Sequence, residues 1–403
     1  MEFESFLPTG NPDKSLPAPP AAFALYSLGV NTNRDAWAYN FRRDDLKRNV
    51  SASMKFYNEE VGRYIHSGKP PDLDNFVGYD ETRISWSRDL KQDLKRGRKA
   101  EFSEGKIRRS MYRPFCQQYF FFDRLFNEEV YLFHCIFPTQ ESENIVIWEK
   151  IGTEGPHYAL AVNMIPNLMP QGGSQCFPFF TYAEDGTHRR ENITDWALEQ
   201  FRTHYHDRSI TKWDIFHYIY AILHHPEYRA RYAANLRREL PRIPFASASP
   251  VPSVVKDFEV FALLAKAGKR LAELHVHYEQ QPEYKLTKTE KAGKKLDYRV
   301  TKMKLSKDKT TLTYNRFLTL SGIPNETYDY RLGNRCGLEW VIDQYQVSTD
   351  KRSGITNDPN RGDDPQYILR LIGQVITVSL ETAKIVRALA SLGLADAENI
   401  TTA

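Results

Sequence analysis

The chain has 403 residues, 55 Lys plus Arg against 51 Asp plus Glu, and a net charge of +4. Hydrophobic content of 41% and aromatic content of 13% are those of a folded chain and exclude a disordered one. No apolar run approaches the roughly 20 residues that span a bilayer, and no charged-then-apolar leader opens the chain, so a cytoplasmic protein is expected.

Residues 1–21 are rich in Pro and small side chains and read as a linker from a preceding domain. Phe23 to Leu28 is apolar and strand-like. Gly29 then punctuates, and Val30 to Asn40 follows as a dense polar stretch. Asn31 and Asn33 carry amides that donate and accept at once. Arg34 carries a planar five-donor fork, which Asp35 can hold, and Trp37 offers a flat apolar face. Such groups read nucleobases, by amide pairing to adenine, Arg pairing to guanine and aromatic stacking. The alternative is a polar strand-to-helix turn, since turn chemistry favours the same residues.

Leu46, Val50, Met54, Tyr57 and Val61 recur at helical spacing over Asp44–Tyr64, and Pro70-Pro71 ends the pattern. Arg88–Lys99 reads as a helix with one narrow apolar stripe and a wide basic face. Short β-prone runs follow at Tyr131–Phe137, Ile145–Trp148, Tyr158–Val162 and Cys176–Phe180, which predict a small sheet. Trp213–Leu240 is helical, opened by Thr211 with Asp214 in capping-box spacing and restarted at His225-Pro226. Pro241 to Pro252 marks an internal boundary. Beyond it come an amphipathic helix over Phe258–Tyr278, a Lys-rich hairpin-like run, a strand within Thr310–Leu320, and a helix over Trp340–Tyr345. A Gly, Asn, Asp and Pro-rich loop over Ser353–Pro365 precedes a last helix over Tyr367–Leu392. The predicted class is α+β in two lobes: 22–240 with mixed helix and small sheet, a Pro-rich linker over 241–255, and 256–403, mainly helical with a basic β-hairpin.

Charge is unevenly placed. Arg83–Arg113 holds eleven basic and four acidic residues, and Lys285–Lys309 holds ten and three, so each nets +7 and the remainder nets −10. Two such concentrations could clamp a polyanion, or form two solvated faces. In the first, Arg108, Arg109, Tyr112 and Arg113 combine charge with an aromatic, and Arg83 and Trp86 lie just upstream. Arg113 could equally pair with an acid such as Asp123. In the second, Lys294, Lys295 and Arg299 are the candidate phosphate contacts. Asn357 and Asn360 add amides in the late loop.

Catalytic signatures are missing. Neither Pro-Pro pair has the flanks of an adenine-methylating Asn-Pro-Pro-aromatic loop, and no Walker A loop is present. Cys116, Cys135, Cys176 and Cys336 are scattered, without a Cys-x-x-Cys pair, and read as thiols of a reducing compartment. The pairs His204/His206, His224/His225 and His275/His277 read as structural rather than metal-binding.

The stretch Asn31-Thr32-Asn33-Arg34-Asp35-Ala36-Trp37 resembles the TNRDAW signature of type ISP restriction–modification enzymes. The resemblance continues, in order, through Phe56-Tyr57-Asn58, Tyr112-Arg113-Pro114-Phe115, Leu223–Arg229 and Ser353–Asn360. Enzymes of this kind are large single chains with nuclease, helicase-like ATPase, adenine-N6 methyltransferase and target-recognition parts. The resemblance implies that this chain corresponds to the target-recognition part alone. Its expected partners are double-stranded DNA and a methyltransferase core, with no cofactor of its own and S-adenosylmethionine serving the core. It also implies a role for Asn33, Arg34 and Trp37 near the target base, with no catalytic residue and no metal here. Other readings are a protein-interaction module of a phage-defence assembly that never reads bases, and an enzyme of unknown chemistry.

Overall fold

The computed structural model describes residues 2–10, 20–168, 173–247, 254–293 and 295–392. Its centre is a four-stranded antiparallel sheet in the order Ser27–Leu28, Ser174–Pro178, Val146–Lys150, Ala159–Val162. Successive side chains of a strand point to opposite faces, and here both faces are covered. Val146, Trp148, Leu160, Val162 and Cys176 enter one apolar cluster, while Ile147, Ala159, Ala161 and Phe177 enter another. That explains why these strands read as continuous apolar runs rather than alternating ones.

Behind the second face lie the helices Lys212–Ile222 and Val254–Val276. Their close approach depends on Gly268: a Cβ there would stand 1.8 Å from the His217 carbonyl oxygen. The first face packs on the helices Arg43–His66, Gly337–Gln344 and Tyr367–Leu389 and on a second sheet, ordered Tyr39–Asn40, Cys116–Phe121, Ile107–Arg113, Ile165–Pro166. The Lys-rich run supplies the outer strands, Thr287–Glu290 and Lys304–Leu305, of a third four-stranded sheet built around Thr311–Thr313 and Leu318–Ser321.

The chain is thus mixed α and β, and its two cores are divided by a sheet rather than by a point in the sequence. The expected linkers depart from linker behaviour where they are described. Glu2–Ser5 is a helix, Phe3 and Leu7 are buried, and Leu7–Pro8 pairs with Arg242–Ile243 across the presumed boundary. Phe3 and Leu7 belong to the second core. The Pro-rich stretch 248–253 lies outside the described residues. The Tyr131–Phe137 run also differs: Phe133–Ile136 is a helical turn. Phe133, Ile136 and Phe137 stand at i, i+3 and i+4, so one helical face buries all three, and the two Phe rings stack at 6.4 Å. The basic helix stops at Lys95 because Gly97, at φ +72°, turns the chain left-handed.

Candidate nucleic-acid interface

The signature stretch folds through its own polar side chains. Asn31 Oδ1 accepts from the Asn33 amide at 3.2 Å, Thr32 Oγ1 accepts from the Arg34 amide at 3.1 Å, and the Thr32 hydroxyl donates to Asp35. Asn33 takes φ +52°, a left-handed conformation that Asn tolerates. The turn releases into the short helix Asp35–Ala38, which buries Trp37.

Arg34 is 3% exposed. Its guanidinium donates from Nε to the Ser85 carbonyl at 3.1 Å, from one terminal nitrogen to Ser87 Oγ at 2.6 Å, and from the other to the Phe126 carbonyl. Ser87 Oγ also caps the basic helix by accepting from the Leu90 amide at 3.3 Å. Burial lowers the Arg34 pKa to about 10, which leaves the side chain charged. The base-reading expectation for Arg34 and Trp37 is therefore corrected. Arg34 spends its fork on three internal acceptors, and Trp37 is 4% exposed core.

Other expected contacts are likewise engaged by partners within the chain, although Arg83 is exposed and Trp86 half-buried. Arg113 is 8% exposed, donates to the Tyr112 carbonyl at 2.6 Å and Asn167 Oδ1 at 2.8 Å, and stands 3.6 Å from Asp35; it does not pair with Asp123, which Lys106 takes at 2.7 Å. Tyr112 donates to Asp35 at 3.0 Å. Trp86 donates to the Gly78 carbonyl at 3.0 Å, and Arg83 lies over the Phe56 ring and pairs with Glu59 at 3.2 Å. Asn31 bridges to Glu129. In the late loop, Asn357 Oδ1 accepts from the Phe41 amide and its Nδ2 donates to Gln118, both at 2.9 Å. Asn360 accepts from the Val300 amide and donates to the Val300 carbonyl, both at 2.8 Å. Asp358 holds Arg42 at 3.1 Å and Arg299 at 2.8 Å. The polar side chains of this loop are braces that tie the Lys-rich segment to the start of the Arg43–His66 helix, so the Asn357 and Asn360 amides, expected as DNA contacts, are engaged inside the chain.

What remains outward divides into two clefts and a bed of lysines. The exposed Asn33 lines a cleft of about 270 Å³ with Tyr79, Glu81, Trp86 and Arg352. Glu81 and Arg352 pair across it at 3.6 Å. A second cleft of about 370 Å³ is lined by Arg43, Arg108, Arg109, Tyr119, Gln140 and Asn163. Arg109 lies 4.6 Å from the Tyr119 ring centre and has no acidic partner among the described residues. Arg108 donates to the Pro138 carbonyl at 3.1 Å, its Nε and Nη1 have no partner, and burial lowers its pKa. Arg352, Tyr79 and Asn163 escaped the sequence reading because each comes from a loop far from the signature, with no spacing rule linking them.

The two basic segments differ in how their charge is used. In the first, Arg83, Arg88, Lys91, Arg96, Arg98, Lys106 and Arg113 all stand within ion-pair distance of acids. In the second, only Arg299 and Lys309 do. Lys285, Lys288, Lys291, Lys295, Lys302, Lys304 and Lys307 are exposed without an acidic partner among the described residues, and Lys294 lies outside those residues. No described helix is long and apolar enough to cross a membrane.

A mixed α/β module whose cations are largely paired in one segment and left exposed in another has the charge distribution of a polyanion-binding surface. The chain is a member of the type ISP C-terminal specificity domain family, whose profile matches residues 21–371. Among solved structures it is similar to a nuclease-deletion mutant of the type ISP restriction–modification enzyme LlaGI in complex with a DNA substrate mimic (34% identity, TM-score 0.82, 98% of this chain and 35% of that one). It is similar to the ATP-dependent type ISP enzyme LlaBIII bound to DNA (29% identity, TM-score 0.84, 98% and 25%). It also resembles DrdV in a DNA complex (33% identity, TM-score 0.81, 96% and 38%). The chain spans about a quarter to two-fifths of the length of these proteins. No curated protein matches it.

Proposed function

We propose that this chain is the DNA target-recognition part of a type ISP restriction–modification enzyme acting in the cytoplasm. The Lys285–Lys307 bed grips duplex phosphates, and the Asn33 and Arg109 clefts meet base edges or a displaced nucleotide. The observation that carries this reading is the seven exposed lysines without acidic partners among the described residues, against a first basic segment most of whose cations are paired with acids. Unpaired surface charge of one sign costs self-repulsion, and a polyanion relieves it. The adjoining methyltransferase core would hold S-adenosylmethionine and accept the flipped adenine. This chain lacks the glycine-rich and Asn-Pro-Pro-aromatic loops for that chemistry, so no methyl-transfer step is assigned to its residues.

The test is a salt titration of duplex binding by the whole chain, using duplexes enriched from a random pool and scrambled controls. Lys288, Lys291 and Lys295 replaced together by Gln should lower the slope of log affinity against log salt by up to about 2.7, at roughly 0.9 per phosphate contact. Both duplexes should weaken alike. Asn33→Ala should instead reduce the ratio between them, by roughly 1–3 kcal/mol. An unchanged slope in the triple variant would remove the lysine bed from the interface and favour a protein-interaction module.

A further inference from the structure

Outside the linings of both clefts, His134, Cys135 and Glu184 bring an imidazole nitrogen, a thiol sulfur and a carboxylate oxygen within 4.8 Å of one another. We propose that these three side chains form a binding site for a zinc-class transition metal ion that staples the Phe133–Ile136 turn to the hairpin carrying Glu184.

The donor set suits that ion. Thiolate, imidazole and carboxylate are the three ligand types zinc takes, at about 2.0–2.3 Å, and three protein ligands leave a fourth position for water. Ligands that far from the metal stand about 3.3–3.8 Å apart in a tetrahedron. The present spread is at most about 1 Å wider than this, and His134 Nε2 already lies 3.3 Å from Glu184 Oε1. The two backbones are already tied, because the Tyr182 amide donates to the Cys135 carbonyl at 2.8 Å.

His134 supplies the second observation. Its Nδ1 is buried, faces the main chain of Tyr131, and makes no well-formed hydrogen bond. Its Nε2 faces the Glu184 carboxylate. Both ring nitrogens therefore look at acceptors, the Tyr131 main chain and the Glu184 carboxylate. A neutral ring has one proton for two acceptors. A metal ion on Nε2 resolves this: the proton sits on Nδ1 toward the Tyr131 carbonyl, the usual outer partner of a ligating histidine. Arg124 stands 2.9 Å from the same Glu184 oxygen that faces His134 and is then the outer partner of that carboxylate. Cys135 is only half-buried, whereas Cys116, Cys176 and Cys336 are fully buried, so one thiol of the four can deprotonate on a metal without opening the core.

The site is tested by titrating cobalt(II), a spectroscopic stand-in for zinc, into the whole chain kept reduced with a phosphine. The expected result is a near-ultraviolet thiolate-to-cobalt band with visible bands of a tetrahedral centre, saturating at one ion per chain and bleached by zinc. Cys135→Ser should remove the charge-transfer band, and His134→Gln and Glu184→Gln should each weaken binding at least roughly tenfold while leaving the zinc-free melting temperature within a few degrees. Zinc should raise the melting temperature of the parent chain and not that of Cys135→Ser. No thiolate band at millimolar cobalt, or a band that survives Cys135→Ser, overturns the proposal. The two polar substitutions keep the test decisive if the cysteine variant folds poorly.

Discussion

Replacing Arg34 by Ala separates a base-reading arginine from a bracing one. The guanidinium makes three hydrogen bonds inside the protein, to Ser85, Ser87 and Phe126. Bonds from a charged donor contribute about 1.5–3 kcal/mol each, and a buried acceptor left bare costs about 1–3 kcal/mol. Against this stands the relief of no longer burying a charge, which is why the sum is not taken at face value. Removing one partner from a buried charged network typically costs about 3–5 kcal/mol, a large fraction of a total near 5–15 kcal/mol. Ser87 also caps the Arg88–Lys95 helix, so its loss of a partner spreads the effect to that helix. Arg34→Lys should recover only part of the loss, because one ammonium on a flexible stem cannot span three acceptors arranged for a planar fork. The assay is urea unfolding followed by far-ultraviolet circular dichroism, with DNA binding measured on the folded fraction. Arg34→Ala should shift the midpoint strongly, and any molecules that remain folded should keep their preference among duplexes. A variant that unfolds at the parent midpoint but no longer discriminates between duplexes would refute this reasoning and return Arg34 to the bases.

Other substitutions probe the packing around the site. Gly268→Ala gains about 1 kcal/mol of helix propensity, but its Cβ would meet the His217 carbonyl at 1.8 Å; the clash should win, with a net loss of about 2 kcal/mol or more in denaturant unfolding, and a stabilised variant would show the two helices are not so close. Asn360→Ala removes both bonds to Val300 and should speed tryptic cleavage within Lys285–Lys307, read by mass spectrometry; unchanged cleavage would deny the loop its bracing role. Lowering the pH should destabilise the fold. Burial depresses His157 to about 3, His224 to about 4 and His275 well below its usual value, so the unfolded chain binds more protons over roughly pH 6.5 down to 4. Each contributes a slope of up to about 1.4 kcal/mol per pH unit in that window, opposed by Glu149 and Glu129, whose raised pKa values favour the fold below their unfolded values and lose that contribution as pH rises. Melting temperatures that stay flat from pH 6.5 to 4 would contradict three neutral buried imidazoles.

The regular elements were legible because periodicity reports burial directly. The Arg43–His66 helix and the Thr211–Asp214 capping box lie where apolar spacing and cap chemistry put them. Among the buried histidines, His275 bonds Tyr220 and Thr382, and His224 bonds the Tyr220 carbonyl. The division of the two cores was not legible. It depends on alternate residues of one strand, Val146 and Trp148 against Ile147, facing different clusters, and a run apolar at every position carries no sign of which neighbour lies on which side. The N-terminal residues were misread for a related reason, since Phe3 and Leu7 look like isolated apolar residues until their partners arrive from residues beyond 200.

Within the candidate interface the same residue types serve opposite ends, and composition cannot separate them. Asn33 and Asn360 are both amides in polar loops, yet one is exposed and lines a cleft while the other saturates a neighbouring peptide unit. Arg34 and Arg109 are both arginines beside aromatics, yet one is enclosed by carbonyls and the other lies on a tyrosine face without an acid. What separates them is whether the backbone nearby leaves acceptors that nothing else can fill. The turn at Thr32–Asp35 and the loop at Ser353–Asn360 generate many such groups, so their polar side chains are drawn inward. The Lys-rich strands generate few, because their neighbours in the sheet take the main-chain bonds on one side. Their side chains are free to point outward, and an ammonium with no internal acceptor keeps its full charge for an external one. A signature dense in hydrogen-bonding side chains therefore marks scaffold, while the exposed charge without acidic partners among the described residues lies in the plainer, lysine-bearing segment.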